Sequence, residues 1–492
     1  MTTNRMRRFA PGRPSWTPAL TCALSIWAVQ VLCLTPSASA SRGAALTETQ
    51  RAWLSKANRH EKAGWTYVHI EGAPRERGFQ YGYLLATEIA GGIKAARTNW
   101  EYQSAMTWNW LQGKAAALFT QKIDGENLAE LDGIAEGMQV AGVPSSRAEL
   151  ITYNGWIELD GYWWPQELKK LKEPTTPPVR QSCSAFVATG SMTADRGVVL
   201  GHSTFIGYQD VSPDVILDIT PDKGHRILMQ TSPGWIHSGT DFFITDAGLV
   251  GTETTIGGFD GFDTKGVPEF ARMRRATQDA SSIDEWCAIM KRGNNGGYAN
   301  AWLLGDVNTG EIARLEQGLK YESLEKTRDG YFTGSNVAEN LKILRLETDA
   351  HETDVRQSSV ARRLRWKQLM SQNAGKIDLE VAKRMEADHF DVYLGEDHPG
   401  ARSLCGHFEL ERTPALPWPY IPNEPAGALD AEVVDSRMAK RMSIAARWGA
   451  PCGMAFDAQQ FLNEHPQFEW MKTILHSRPS EPWVEFTAGE ER

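Results

Sequence analysis

The chain has 492 residues, of which 52 are lysine or arginine and 61 are aspartate or glutamate, so its formal net charge is -9. An acidic chain without a long basic run lacks the electrostatic footprint of a nucleic-acid-binding protein. Its length is sufficient to bury a large core, in one elaborate domain or in two.

The first forty residues have the pattern of an export signal. Four arginines and no acidic residue precede an apolar stretch from Trp16 to Leu34, and Ala38-Ser39-Ala40 follows as a small-residue cleavage site. Gln30 interrupts the stretch and Pro36 follows it, which favours a cleaved signal over a membrane anchor. We therefore predict a signal peptide at residues 1–40 and an exported protein without a membrane span, periplasmic or secreted, or lysosomal in a eukaryote.

Residues 41–182 are predicted to form a mostly helical segment. A helical pattern runs from Leu46 to His60 with Thr47 as its candidate cap, a short strand follows at Trp65–Ile70, and further helical stretches continue to about residue 160. Trp163 to Gln181 contains four prolines and three lysines. This composition predicts an exposed linker, which is a natural site for chain cleavage.

The remaining segment, residues 183–492, is predicted to be rich in strands. Short β-branched runs are separated by glycine, proline or aspartate turns, and helical patterns interrupt them near residues 268–291, 358–370 and 378–387. Strands, then helices, then strands again are typical of a layered α+β fold and not of alternating βαβ units. We therefore predict the α+β class.

Cys183 begins an apolar run that predicts a strand, Cys183–Thr189. A second run, Val198–Thr204, predicts its hairpin partner and carries His202. A cysteine in such a run is ordinarily a small buried hydrophobe. A thiol kept reduced in an exported protein is, however, easier to explain if it has a chemical role. Cys183 is therefore the candidate nucleophile.

Three further cysteines remain after removal of the predicted signal: Cys287, Cys405 and Cys452. They are widely spaced, with no CxxC pair and no metal-ligand pattern, so no metal site is predicted. They are also too few for a disulfide scaffold, although an exported protein could pair Cys405 with Cys452.

Five short stretches point to a known superfamily. They are Arg77-Gly78-x-Gln80-x-Gly82, Cys183-Ser184-Ala185-Phe186, Gly201-His202-Ser203-Thr204, Asp241-Phe242-Phe243-Ile244 with Gly248 to Thr255, and Tyr298-Ala299-Asn300-Ala301-Trp302. In this order they resemble the phospholipase B-like and penicillin-type acyltransferase branches of the N-terminal-nucleophile hydrolases. One departure is Ser203, which stands where the phospholipase B-like pattern has asparagine.

The resemblance implies a four-layer αββα sandwich made as an inactive precursor. The precursor would cut its own chain between Ser182 and Cys183, and the segments 41–182 and 183–492 would stay associated. The new α-amino group, with an ordinary pKa of about 8, would act as general base for the Cys183 thiol. The thiol would form an acyl-enzyme from an amide or ester, so neither a metal nor an organic cofactor is expected.

The resemblance also implies roles for individual residues. Cys183 is expected to be the nucleophile, His202 to orient it, and Asn300 to donate a hydrogen bond in the oxyanion hole. Thr254, Asn336 and Arg345 are candidate substrate contacts on the same ground. Trp156 is a further candidate because it belongs to an aromatic cluster just before the predicted linker. The substrate is expected to be a small molecule or a lipid that carries an acyl group.

Three alternatives stay open at this point. The same machinery could pass the acyl group to an amine instead of water. An uncut chain could use Cys183 and His202 as a thiol hydrolase of the papain type. The chain could also be a non-catalytic binding protein in which Cys183 is only buried, and then Cys183→Ser would alter neither processing nor activity.

Overall fold

The computed structural model describes residues 45–171, 183–210, 214–239, 242–412 and 421–490. The predicted signal peptide, Ser182 and the proline-rich end of the predicted linker lie outside these residues. The helices are α1 (Glu48–Leu54), α2 (Pro74–Leu84), α3 (Ala86–Ser104), α4 (Trp108–Phe119), α5 (Gly125–Val140), α6 (Arg147–Asn154), α7 (Trp156–Glu158), α8 (Trp164–Lys170), α9 (Glu269–Asp279), α10 (Ile283–Lys291), α11 (Leu341–Leu346), α12 (Ser358–Gln372), α13 (Leu379–Glu386), α14 (Ser436–Lys440) and α15 (Ala458–Glu464).

The strands are β1 (Asn58–Lys62), β2 (Trp65–Gly72), β3 (Ser184–Thr189), β4 (Val199–Ser203), β5 (Phe205–Gly207), β6 (Val215–Pro221), β7 (Ile227–Thr231), β8 (Phe242–Thr245), β9 (Leu249–Thr255), β10 (Asn300–Asp306), β11 (Glu311–Gln317), β12 (Glu322–Thr327), β13 (Gly330–Gly334), β14 (Phe390–Asp391), β15 (Glu396–Asp397), β16 (Ala426–Ala428), β17 (Asp430–Asp435), β18 (Ser443–Trp448) and β19 (Val484–Thr487). A large sheet has the order β1-β2-β6-β7-β8-β9-β10-β11-β12, and a smaller sheet has the order β13-β3-β4-β17-β18-β19. All neighbouring pairs in the large sheet are antiparallel except β2 and β6, which are parallel.

The large sheet is buried on both faces, as the alternation along β6 shows. Val215, Leu217 and Ile219 belong to an apolar core shared with helices α2 to α6, α9 and α10. Ile216, between them, belongs instead to the core shared with the smaller sheet. Because successive side chains of a strand point to opposite faces, one face of the large sheet carries helices and the other carries the second sheet.

The smaller sheet is likewise covered on both faces. The ring of Phe186 on β3 packs against Trp366 of α12, with 5.3 Å between ring centroids. Its neighbour Val187 points the other way, toward Gly305 of the large sheet. The layers are therefore helix, sheet, sheet and helix, which confirms the predicted four-layer α+β sandwich. Within the described residues, no helix is both long and apolar enough to cross a lipid bilayer.

Two local predictions were wrong in part. The helix expected over Leu46–His60 is shorter. It begins at Glu48 with a capping box formed by Thr47 and Gln50, it ends at Leu54, and the chain then turns into β1. The first part of the linker expected from Trp163 is instead helical, at Trp164–Lys170. This helix continues directly from a π-helical stretch, Leu159–Trp163, and Pro165, which has no backbone N–H to donate, lies just after that wider turn.

The Arg77-Gly78-x-Gln80-x-Gly82 stretch lies where α2 crosses α5 at very short distance. A Cβ placed at Gly78 would lie 2.1 Å from the carbonyl oxygen of Glu130, and one at Gly82 would lie 2.1 Å from that of Ile134. Arg77 is fully buried beside them, and its Nη2 lies 2.7 Å from a carboxylate oxygen of Glu130. The motif is therefore explained by backbone contact and a buried ion pair.

We expect Gly82→Ala to lower the free energy of unfolding by about 1–3 kcal/mol, because the added methyl group forces the two helices apart. Urea unfolding followed by circular dichroism measures the change. Gly91→Ala on α3 is the matched control, since a Cβ at this exposed glycine meets nothing within 4 Å. The control should be neutral or stabilising, and equal losses in both variants would contradict the close crossing.

Candidate active site

Four of the predicted site residues lie where the ends of the two sheets meet: Cys183, Thr254, Asn300 and Asn336. Cys183 directly precedes β3 and Asn336 follows β13, both in the smaller sheet, while Asn300 begins β10 in the large sheet. The two sheets are joined at this point by a hydrogen bond of 2.8 Å from the Asn336 Nδ2 to the carbonyl oxygen of Thr255, at the end of β9.

Cys183 is buried and has an unusual backbone conformation. Its exposed fraction is 1 %, and its φ of 74° lies in the left-handed region. A residue with a Cβ enters this region at a cost of about 1–3 kcal/mol, and such strain concentrates at functional sites. The carbonyl oxygen of Cys183 accepts a hydrogen bond of 2.7 Å from Nη1 of Arg362.

Arg362 on α12 connects Cys183 to its neighbours. Its side chain is fully buried, and it also donates to the Asn336 Oδ1 at 2.6 Å and to the Ser358 Oγ at 3.0 Å. The sequence predicted only a helix over residues 358–370 here. The spacing of residues could have indicated that Arg362 is buried, because it lies four residues before the buried Trp366 and therefore on the same helix face.

Asn300 is held by a buried carboxylate. With its amide oriented to fit the surrounding acceptors, Nδ2 donates to the Glu253 Oε2 at 2.8 Å and to the Ala299 carbonyl at 2.9 Å. Tyr298 donates its hydroxyl to the other oxygen of Glu253. The Tyr298 ring also meets Tyr162, with 6.2 Å between ring centroids, so the tryptophan-rich helical segment reaches this part of the site.

His202 lies on β4, opposite Ala185 on one side and Glu432 on the other. It is fully buried, and its Nδ1 lies 3.5 Å from a carboxylate oxygen of Glu432. Burial lowers the pKa of His202 to about 3, because the imidazolium form would lose its hydration. The ring is therefore uncharged at neutral pH. Its predicted role in orienting the thiol stays a prediction.

The predicted substrate contacts have three kinds of surroundings. Thr254 lies between the sheets, where a Cβ at Gly334 would come within 2.4 Å of its Oγ1. Trp156 is buried among other tryptophans of the helical layer. Arg345 is 56 % exposed and forms an ion pair with Glu352. The structure thus brings Thr254 and Asn336, but not Trp156 and Arg345, to the strand ends. The substrate roles of all four residues stay predictions.

Comparison with known proteins finds similarity to proteins named phospholipase B or phospholipase B-like. The Phospholipase B family model matches residues 129–325, a range that contains Cys183, His202, Thr254 and Asn300. Phospholipase B of Crotalus adamanteus is 26 % identical over 299 residues, which cover 55 % of this chain and 52 % of the relative. Putative phospholipase B-like 2 of Bos taurus is 31 % identical over 144 residues, which cover 25 % and 24 %.

An uncharacterized protein of Archaeoglobus fulgidus is 25 % identical over 259 residues, which cover 49 % of this chain and 41 % of that protein. The chain therefore spans about half or less of the length of these relatives.

Two solved structures are also similar. Penicillin V acylase from Agrobacterium tumefaciens is 11 % identical with a TM-score of 0.31, covering 54 % of this chain and 83 % of that chain. A mutant of conjugated bile acid hydrolase from Clostridium perfringens is 11 % identical with a TM-score of 0.30, covering 54 % and 88 %. The sequence matches confirm the predicted resemblance: across its central part, the chain is related to the phospholipase B-like family.

Proposed function

We propose that the chain is an exported, self-processing cysteine hydrolase that cleaves an acyl amide or ester bond through an acyl-enzyme on Cys183. The observation that carries the proposal is the placement of Cys183. It is buried at the head of β3 in a left-handed conformation, with its carbonyl held by Arg362. Relatives named phospholipase B favour an ester of a lipid, although a nucleophile of this kind requires only a carbonyl.

Processing would begin with attack of the Cys183 sulfur on the carbonyl carbon of Ser182. The S–C bond forms, the peptide C–N bond breaks, and the nitrogen takes up a proton to become the α-amine of Cys183. Water then hydrolyses the thioester and leaves a carboxylate on Ser182. The left-handed φ of Cys183 supports this step, because strain of about 1–3 kcal/mol next to the scissile bond is released by the cut.

After the cut, the new α-amine would serve as the general base for the thiol. An amine of this kind has an ordinary pKa of about 8, so part of it is unprotonated at neutral pH. His202 is a poor substitute as the base. Its pKa of about 3 makes an imidazolium partner for a thiolate costly. This favours the amine over the Cys183–His202 pair that the sequence left open.

The two segments would remain together because both build the same layers. β2, from the first segment, pairs in parallel with β6 of the second. The buried Glu130 on α5 accepts from Arg77 on α2 and from Arg274 on α9, at 2.7 Å and 3.3 Å. Separating the segments would expose a sheet edge and a buried ion cluster, and both are costly.

During turnover the thiolate would attack the substrate carbonyl, and the oxygen would gain negative charge. Asn300 is proposed to donate to that oxygen, which requires its Nδ2 to exchange a hydrogen bond with Glu253 or Ala299 for one to the substrate. Thr254 and Asn336 are proposed to border the substrate, since they lie at the same strand ends.

We expect purified wild-type protein to consist of two fragments, the second beginning at Cys183, while Cys183→Ala remains one chain. Removing the sulfur removes the group that attacks Ser182, so no cut can follow. Intact-mass analysis with N-terminal sequencing measures the result. Cys287→Ser is the control, because this buried cysteine lies on α10 in the helical layer and should not affect the cut. An uncut wild-type chain with full activity would contradict self-processing.

We expect Asn300→Ala to lower kcat by about 10²–10³-fold with a smaller effect on KM, because a donor to the oxyanion acts mainly in the transition state. Steady-state assays of the cut protein with a chromogenic acyl amide or ester provide the values. Asn463→Ala, at an exposed position on α15, is the control and should retain activity. Equal kcat in the two variants would exclude Asn300 as the donor.

A further inference from the structure

We infer that His389, Cys405, His407 and Cys452 form a structural site for one Zn²⁺ ion. Each residue offers one ligand atom, and the four atoms lie within 4.8 Å of one another. Two thiolates and two imidazoles are the donor set of closed structural zinc sites, and tetrahedral S₂N₂ coordination selects Zn²⁺ among common divalent ions. Such a site is independent of the hydrolase activity proposed above.

The sulfur–nitrogen distances fit a tetrahedral ion. The Nε2 of His407 lies 3.5 Å from the Sγ of Cys405 and 3.4 Å from the Sγ of Cys452. Bond lengths of about 2.3 Å to sulfur and 2.0–2.1 Å to nitrogen place these atoms about 3.6 Å apart around a tetrahedral centre. His389 packs edge-on against His407, with 5.3 Å between ring centroids. Its Nε2 is buried and has no hydrogen-bond partner among the described residues.

Surrounding groups orient the ligands as in a zinc site. The other nitrogen of His407, Nδ1, lies 3.0 Å from the Oε1 of Glu409. The Oε2 of Glu409 accepts a hydrogen bond of 3.0 Å from the hydroxyl of Tyr208. A carboxylate on the outer nitrogen fixes the tautomer that presents Nε2 to the metal. The backbone N–H of Met454 donates to the Cys452 sulfur at 3.3 Å, which suits a thiolate.

The ligands come from three separate segments of the chain, and buried contacts hold two of these together. His389 follows α13, Cys405 and His407 precede β16, and Cys452 follows β18. The backbone N–H of Cys405 donates to the carbonyl of Asp388 at 3.0 Å, next to His389. The four ligands are spaced at long and irregular intervals along the chain, so the sequence showed no metal-ligand pattern. The proposed site replaces the expectation that the protein holds no metal.

An aromatic ring, Phe205, connects this site to the candidate active site. Phe205 shares an apolar cluster with Cys405. The guanidinium of Arg362 lies over the same ring, 4.9 Å from its centroid. A metal that fixes the Cys405 segment would therefore also fix Phe205, the ring against which the Arg362 guanidinium packs.

The competing state is a Cys405–Cys452 disulfide, which the sequence analysis left open. A disulfide would remove both thiolates from the donor set, so the two states exclude each other. In an exporting cell, early metal binding would protect the two thiols from oxidation.

The test uses the whole protein as it is purified, cut or uncut, with reductant and without chelator. We expect about one zinc per chain by plasma mass spectrometry in wild type and in Cys287→Ser. Cys452→Ser and His389→Ala should retain less than about one-tenth of the wild-type metal. Chelation should lower the Tm of wild type and Cys287→Ser, but not that of the two ligand variants, because bound metal stabilises only the folded state.

A second test uses the wild type alone, so that it does not depend on the folding of a ligand variant. The metal-stripped, reduced protein is titrated with Co²⁺. We expect saturation at one equivalent, with the visible bands of tetrahedral Co²⁺ and a thiolate-to-metal charge-transfer band. A reduced wild type that binds neither Co²⁺ nor Zn²⁺ would overturn the proposal. So would octahedral Co²⁺ without thiolate absorption, or an air-purified, metal-free protein that shows a Cys405–Cys452 disulfide and takes up no metal after reduction.

Discussion

The contact between the Arg362 guanidinium and the Cys183 carbonyl is the interaction on which the site depends. Arg362 is fully buried, so its charge is tolerated only while its donors are satisfied. Its acceptors are the Cys183 carbonyl, the Asn336 amide oxygen and the Ser358 hydroxyl. Asn336 in turn donates to Thr255 in the large sheet. One cation on the outer helical layer therefore fixes the head of β3 and joins the ends of both sheets.

The αββα layering explains why a reactive thiol can be placed in this way. A strand whose two faces are covered has no freedom to shift its register, so its first residue is fixed by the packing of the whole sheet. Trp366, one turn after Arg362, donates to the Ser184 hydroxyl at 2.9 Å and packs on Phe186. The left-handed backbone at Cys183 is thus held by contacts at its own carbonyl and at the residues that follow it, as a strained residue requires.

Short sequence patterns predicted the elements whose contacts are made by residues close together in the chain. The hairpin β3–β4 follows from two apolar runs bounded by turns, and both strands lie within one residue of their predicted ends. Strand β17 was missed, since its acid-rich sequence resembles a surface segment and its burial comes from pairing with β4, more than 200 residues away. Arg362 and the Cys405–Cys452 cluster were missed for the same reason, because their partners are distant in sequence. Motif resemblance identified Cys183 and Asn300, whereas the contacts around them required the fold.

The most direct test of the central claim is to identify the residue that carries the acyl group during turnover. The cut protein is mixed with a slowly hydrolysed acyl ester, quenched in acid and mapped by peptide mass spectrometry. We expect one acyl group on the peptide that begins at Cys183, and none on that peptide from Cys183→Ala. Since a thioester can pass its acyl group to the adjacent amine, hydroxylamine treatment before mapping distinguishes the two linkages. An acyl group on any other residue, or full turnover by Cys183→Ala, would contradict the account.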